Sequence, residues 1–361
     1  MTDHLPPIPS TSFASDNTAG LSPAVLDAIM AADGPTALAY GDDRWTDELN
    51  ARFSELLGTQ AWAFPCWGGT GANIVGIAAA LDHWQAVLCA ESAHLVTDEG
   101  GAPSRIMSSQ LITVATDDGR LAPTQLADKL AWIGEVHHPQ TGVVSISNVT
   151  ELGSVYSVDE VAAIAEVTHR AGARLHLDGA RLANALAATN STMADMIAGA
   201  GVDVFTWGAT KNGAMYGDLV VTTDATIAAR VPFVRKQSAQ LASKMRYLSA
   251  QVLALLDDDL WITQARHANA MAALLAERAG DIDGVRIERA PQANSVFVQL
   301  PADRIAPLQD WSFFWDWDLN QDLVRWMTHF GTTEADIDRF VAGVRHVLAM
   351  DAPASTPARL A

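Results

Sequence analysis

Between residues 86 and 222, short apolar runs alternate with longer stretches of helical period, and this alternation fixes the class of fold. Ala86–Ala90, Gly142–Ser147, Ala173–Leu177, Val202–Thr206 and Asp218–Thr222 are short and largely apolar, three of them rich in β-branched residues, and they read as buried strands. Helical patterns lie between several of them, for example Val158–Ala171 with Ser157 as its N-cap. Strands that are apolar almost throughout, each followed by a helix, predict a mostly parallel sheet covered on both faces. After about residue 230 the character changes. Leu241–Leu256 and Trp261–Ala279 read as long helices and Ser295–Leu300 as a strand. A last helix starts near Thr333, where Thr333 and Asp336 have the spacing of a capping box.

These elements predict an α/β chain in four parts. Residues 1–12 form an N-terminal arm and residues 13–240 a large α/β domain. Residues 241–350 hold a connecting helix and a smaller α+β domain, and residues 351–361 a tail. A length of 361 residues suits two domains. The formal charge of −19 opposes a phosphate backbone, so nucleic acid is not an expected partner. An anionic substrate would need a local cluster of positive charge. Two cysteines, Cys66 and Cys89, are too few for a disulfide framework, and no Cys/His spacing suits a structural metal. No apolar run has the length of a membrane span, and the Pro- and Ser-rich start lacks the pattern of a signal peptide. The expectation is a cytoplasmic protein with no metal and no membrane partner.

Two segments carry chemistry. His176-Leu177-Asp178-Gly179-Ala180-Arg181 sets an acid and a base just past the C-terminal end of a predicted strand, the edge where open α/β sheets bind ligands. An isolated pair of this kind is most often a plain strand-end ion pair. The next strand leads into Trp207-Gly208-Ala209-Thr210-Lys211-Asn212-Gly213, a lysine flanked by small residues that permit close approach. An aspartate after one strand and a lysine after the next is what pyridoxal 5'-phosphate requires. The lysine amine forms a C=N bond with its aldehyde, and the carboxylate keeps the pyridine nitrogen protonated, so that the ring accepts electrons. Lys211 and Asp178 are the catalytic candidates on this ground.

With these residues in view, the chain resembles the L-threonine aldolase and β-eliminating lyase family of fold-type-I pyridoxal-phosphate enzymes. The resemblance runs from about Phe13 to Val347. It rests on Ser15-Asp16-Asn17, Tyr40-Gly41-Asp42-Asp43, Gly68-Gly69-Thr70-Gly71-Ala72-Asn73, His94, the segment from His176 to Arg181, Thr210-Lys211-Asn212-Gly213 and Arg325-Trp326-Met327-Thr328-His329, in that order. It implies an aspartate-aminotransferase-like fold and a homodimer or homotetramer with shared active sites. It also implies that Gly69 and Thr70 hold the cofactor phosphate with Asn73 nearby. A glycine turn opening the helical run Ala72–Leu81 suits that task, because backbone N–H groups and the helix dipole converge there. His94 would lie against the cofactor ring and serve in proton transfer. Ser15, Arg181 and Arg325 would grip the substrate carboxylate, two guanidiniums supplying the positive site an acidic protein needs. Arg246 would reach the phosphate of a neighbouring subunit.

The resemblance is incomplete at two places. Members of the family carry a histidine in a Glu-Asn-Thr-His stretch, where this chain reads Asn148-Val149-Thr150-Glu151. A glycine-rich run before the arginine is replaced by Gln237-Ser238-Ala239-Gln240-Leu241-Ala242. The general base is therefore His94 or Glu151. The eleven tryptophans include Trp45, Trp62, Trp67 and Trp207 near the landmarks. These four line an apolar pocket or, as is commoner, belong to core and interface. The expected reaction is cleavage of a β-hydroxy-α-amino acid to glycine and an aldehyde. β-Elimination or transamination on the same scaffold is the near alternative, and a non-catalytic binding protein the distant one.

Overall fold

A computed structural model describes residues 5–350; the first four residues of the N-terminal arm and the whole tail, residues 351–361, lie outside the described residues. By internal contact the chain divides into a unit from Leu21 to Ile262 and a unit made from its two ends, described over residues 5–20 and 263–350. The helix Arg246–Leu256, which the sequence groups with the C-terminal part, packs in the first unit on helices α1 (Pro23–Ala31) and α2 (Arg44–Leu57). Residues 13–20, grouped by sequence with the large domain, belong to the second.

The first unit is built on a seven-stranded sheet. Its strands are β1 (Trp62–Cys66), β2 (Gln85–Ala90), β3 (Leu111–Val114), β4 (Gln140–Ser147), β5 (Arg174–Gly179), β6 (Val204–Trp207) and β7 (Asp218–Thr222), in the order β1-β7-β6-β5-β4-β2-β3. Strand β7 is antiparallel to both its neighbours, and all other pairs are parallel. Every residue of β6 and β7 is buried, as strands that are mostly apolar and covered on both faces require. Strand β1 contains Pro65 and escapes a period-based reading. It lies at the edge of the sheet, where a residue without an N–H is tolerated.

Helix α3 (Gly69–Ala80) follows β1 and is buried along most of its length. Its small side chains allow this: a Cβ added at Gly76 would stand 3.4 Å from Val204 and Val220. The helix Val158–Arg170 starts at a capping box in which the Ser157 hydroxyl accepts from Glu160 N and the Glu160 carboxylate accepts from Ser157 N. Because β1, β2, β4, β5 and β6 run parallel, the loops leaving their C-terminal ends meet along one edge of the sheet.

The second unit holds a four-stranded antiparallel sheet of β8 (Arg286–Ile287), β9 (Ser295–Gln299), β10 (Trp315–Asp318) and β11 (Leu323–Met327), in the order β10-β11-β9-β8. Its core gathers Phe13, Leu275, Val296, Phe314, Trp326 and Phe340. Phe13 explains why the N-terminal residues belong here. Its ring lies 4.3 Å from that of Phe340, and its carbonyl accepts from Met327 N at 2.8 Å. The last helix, Glu334–Ala349, begins at the capping box of Thr333 and Asp336. Among the described residues no helix is long and apolar enough to cross a membrane, and no three His, Cys, Asp or Glu side chains are grouped to hold a metal.

Candidate active site

The edge where the parallel strands end collects one reactive side chain from each loop. α3 opens after β1, His94 follows β2, Glu151 follows β4, Asp178 stands near the end of β5, and Lys211 follows β6. One cleft is lined by Gly69, Asn73, His94, Glu151, Asp178, Arg181 and Lys211, together with Ser147, Val149 and Ala180. Sequence positions more than 140 residues apart thus meet at one place.

Each member is held. The Asp178 carboxylate accepts from Ala180 N at 2.9 Å on Oδ1 and from Asn73 Nδ2 at 2.7 Å on Oδ2. Asn73 is fixed in turn by Thr206, whose hydroxyl donates to its Oδ1 at 2.7 Å. The backbone beside Asp178 packs tightly on the next strand. Gly208 N donates to Gly179 O, and a Cβ at Gly208 would stand 2.3 Å from Ala180 O, so only glycine fits between the Asp178 and Lys211 loops. The Lys211 loop is anchored by buried Asp218, whose Oδ1 accepts from Ala209 N at 2.7 Å and Thr210 N at 3.1 Å. Burial pushes the Asp218 carboxyl above the usual carboxylate range; those two N–H bonds and the Lys211 charge oppose the rise.

His94 is clasped from two sides. Its backbone N–H donates to Glu151 Oε1 at 2.9 Å, and its ring Nδ1 lies 2.9 Å from Glu99 Oε1. The bond to Glu99 raises the imidazole above its ordinary range. Burial and the Lys211 charge pull it down, while the Asp178 and Glu99 charges push it up. Glu151 Oε1 also accepts from the Ser147 hydroxyl at 2.7 Å. Burial raises this carboxyl too, against the bonds from His94 and Ser147, and the Asp178 charge adds to the rise.

At the start of α3, Gly68 is the N-cap and makes no side-chain cap bond. Helix geometry leaves the N–H groups of the first turn, Gly69 and Thr70 among them, without intrahelical partners. Gln240 lies against that turn, its Oε1 accepting from Trp67 N at 3.0 Å. Arg246 opens its helix with a buried guanidinium that donates to Ala32 O at 3.0 Å and Gly34 O at 3.2 Å of its own chain. Ser15 and Arg325 belong to the second unit. The Ser15 hydroxyl caps a short turn by accepting from Asn17 N, and Arg325 on β11 lies 4.5 Å over the ring of Trp317. Among the described residues no tryptophan lines the cleft. Trp207 is core, edge-on to Phe53, and half-exposed Trp67 stacks on Tyr216.

Sequence reasoning missed Glu99, Thr206 and Asp218. Thr206 and Asp218 sit at strand ends beside named motifs, a position that is itself a signal. Glu99 reads in sequence as one more loop acid, with only its place five residues after His94 to mark it.

The donor set fits pyridoxal phosphate. A lysine amine and a carboxylate held by two N–H bonds line one cleft, and a helix start with spare N–H groups borders it. A family model described as beta-eliminating lyase matches residues 12–303. A low specificity L-threonine aldolase from a Pseudomonas species is 36% identical over 342 residues, which cover 94% of this chain and 98% of that one. The solved structure of the Leishmania major threonine aldolase superposes with a TM-score of 0.86 at 29% identity, covering 94% of this chain and 99% of that one. An aspartate aminotransferase from Rhodobacter sphaeroides shares the fold, with a TM-score of 0.70 at 19% identity over 96% of this chain and 93% of that one. The sheet order, the lysine-and-aspartate cleft and these likenesses agree: the chain belongs to the β-eliminating lyase family, with an aspartate-aminotransferase-like fold and pyridoxal phosphate as its cofactor.

Proposed function

We propose that the protein cleaves L-β-hydroxy-α-amino acids of the threonine, allo-threonine and phenylserine type to glycine and an aldehyde. The observation that carries this reading is the meeting of Lys211, Asp178, Arg181 and His94 around one cleft, in a chain similar over 94% of its length to a low specificity L-threonine aldolase. When bound, the cofactor supplies an electron sink for the pair released from Cα. The chain's own residues do the rest. Lys211 holds the cofactor covalently, Asp178 holds the proton of its ring nitrogen, and the first turn of α3 at Gly69 and Thr70 receives its phosphate, with Asn73 nearby. Arg181 binds the substrate carboxylate. Orientation decides the bond: the carboxylate grip sets Cα–Cβ in line for cleavage.

His94 takes the β-hydroxyl proton. The bond to Glu99 raises the imidazole above its ordinary range, which strengthens it as a proton acceptor. Glu151 is the second candidate, but its Oε1 already accepts two hydrogen bonds, one of them from the backbone of His94. Glu151→Gln keeps an acceptor at that position. We expect kcat to fall by less than about tenfold and the acid limb of the pH–rate profile to remain, since lost general base catalysis costs roughly 10²- to 10⁴-fold. A larger fall with loss of the limb would move the base to Glu151.

The family description favours one other reading, β-elimination. Products separate the two after incubation with L-threonine: acetaldehyde and glycine for cleavage, a keto acid and ammonia for elimination. We further propose a cytoplasmic homodimer or homotetramer, with Arg246 serving the phosphate of a neighbouring subunit; the family resemblance supports this reading. Light scattering on the eluting peak checks the assembly. A mass of two or four chains is expected, and a 38.4 kDa species would contradict it.

A further inference from the structure

His94, Glu99, Asn73 and Asp178 form one continuous hydrogen-bonded chain. Glu99 is buried, with 6% of its surface exposed, and its Oε1 takes both the His94 Nδ1 contact at 2.9 Å and a bond from Asn73 Nδ2 at 3.0 Å. Asn73 cannot be turned about. Its Oδ1 accepts from Thr206, so its two N–H groups are spent on the two carboxylates, Glu99 and Asp178. The second oxygen of Glu99 is buried and, among the described residues, has no hydrogen-bond partner. Burying a carboxylate this way is costly unless specific donors compensate it. An ordinary loop acid would face water. Here Gly100 and Gly101, both with positive φ, follow directly and let the chain turn away once the carboxyl is beneath the imidazole.

We propose that Glu99 is a positioning residue for the cleavage: it accepts the Nδ1–H of His94, fixes the imidazole tautomer, and so leaves Nε2 as the atom that receives the proton. The inference deepens the aldolase reading and rests on it for the role of His94. Through Asn73 the same carboxylate is tied to Asp178, so one rigid network sets both the ring-nitrogen partner and the base. The charged groups around the imidazole are Glu99 from its own loop, Asp178 at the end of β5, Arg181 after it, Lys211 after β6, and Glu151 on the His94 backbone N–H. A carboxylate on one imidazole nitrogen orients the ring and raises the basicity of the other.

The test is a pH titration of cofactor-loaded protein carrying ¹⁵N-histidine, with the His94 signals identified by their loss in His94→Asn. In the wild type, neutral His94 should carry its proton on Nδ1 and titrate above the ordinary histidine value of about 6.5. In Glu99→Gln the titration should move down by about one pH unit, and the acid limb of kcat should follow it. We expect kcat to fall roughly 10- to 100-fold with KM nearly unchanged. Glu99→Asp, which keeps the charge, should recover part of the pH shift. A neutral wild-type His94 protonated on Nε2, or a Glu99→Gln titration that coincides with the wild type, would overturn the proposal. If Glu99→Gln does not fold, the wild-type tautomer decides alone. The resonance measurement needs no turnover, so failure of the aldolase reading and failure of this one stay distinguishable.

Discussion

In Lys211→Ala, borohydride reduction should no longer fix the cofactor to the protein, and turnover should fall by roughly 10²- to 10⁴-fold or more. That range is what loss of a positioned proton-transfer group costs, and the covalent anchor is lost as well. The size of the effect follows from the geometry. Lys211 stands on a loop that cannot drift, since Asp218 holds the backbone N–H groups of Ala209 and Thr210 and the Gly208 contact allows no other residue. Among the described residues no second lysine lines the cleft to replace it. The fold should survive, because the lysine is only partly buried and belongs to no core cluster, so its removal opens no core. Mass spectrometry after reduction gives the readout. Cofactor mass still attached to the cleft would refute the assignment.

The second large effect belongs to Asp178→Asn. The substitution keeps shape and removes charge, so the ring nitrogen of the cofactor loses the partner that keeps it protonated. We expect kcat to fall roughly 10²- to 10³-fold, comparable to deleting one preorganised electrostatic contact at a reacting centre. Stability should also drop. Asp178 receives N–H donors on both oxygens, from Ala180 and from Asn73, so an amide must present its own N–H₂ to one of them. An unsatisfied buried donor costs about 1–3 kcal/mol, readable as a lowered melting temperature of the cofactor-free protein. Full activity in this variant would mean that the ring nitrogen does not need its proton.

Much of the fold was legible because its signals are local. Asp218–Thr222 reads to the residue, since its three central apolar residues, Leu219, Val220 and Val221, are flanked by Asp218 and Thr222 and all five are buried. Val202–Thr206 was read two residues early. In the structure the Asp203 carboxylate takes Leu175 N at 2.7 Å, so regular pairing with β5 begins only at Val204 and runs on to Trp207 beside Gly179. The helix expected from Ala72 starts at Gly69, because glycines at a helix start are poor propensity signals yet suit close approach. The helix expected from Leu241 starts at Arg246.

The site divides along the same line. Asp178 ends a strand and Lys211 and Arg181 follow strands on a sheet edge, and that placement can be read from one segment at a time. Glu99 could not be read so. Its meaning lies in contacts to Asn73 after β1 and, through it, to Asp178 on β5, partners 26 and 105 positions apart. Gln240 falls in the same class: it crowds the Gly71 turn, within 2.2 Å of where a Cβ would stand, though 173 positions separate it from its partner Trp67. Nonlocal polar networks leave no period in the sequence.

The most direct test is a turnover assay of cofactor-loaded protein on L-threonine, L-allo-threonine and L-phenylserine, with glycine and aldehyde both counted over time. Glycine and aldehyde appearing in equal amounts from at least one of the three is the predicted result, and the relative rates then rank the side chains. A keto acid with ammonia and no aldehyde, from protein carrying the bound cofactor, would contradict the account and leave the fold with a different reaction.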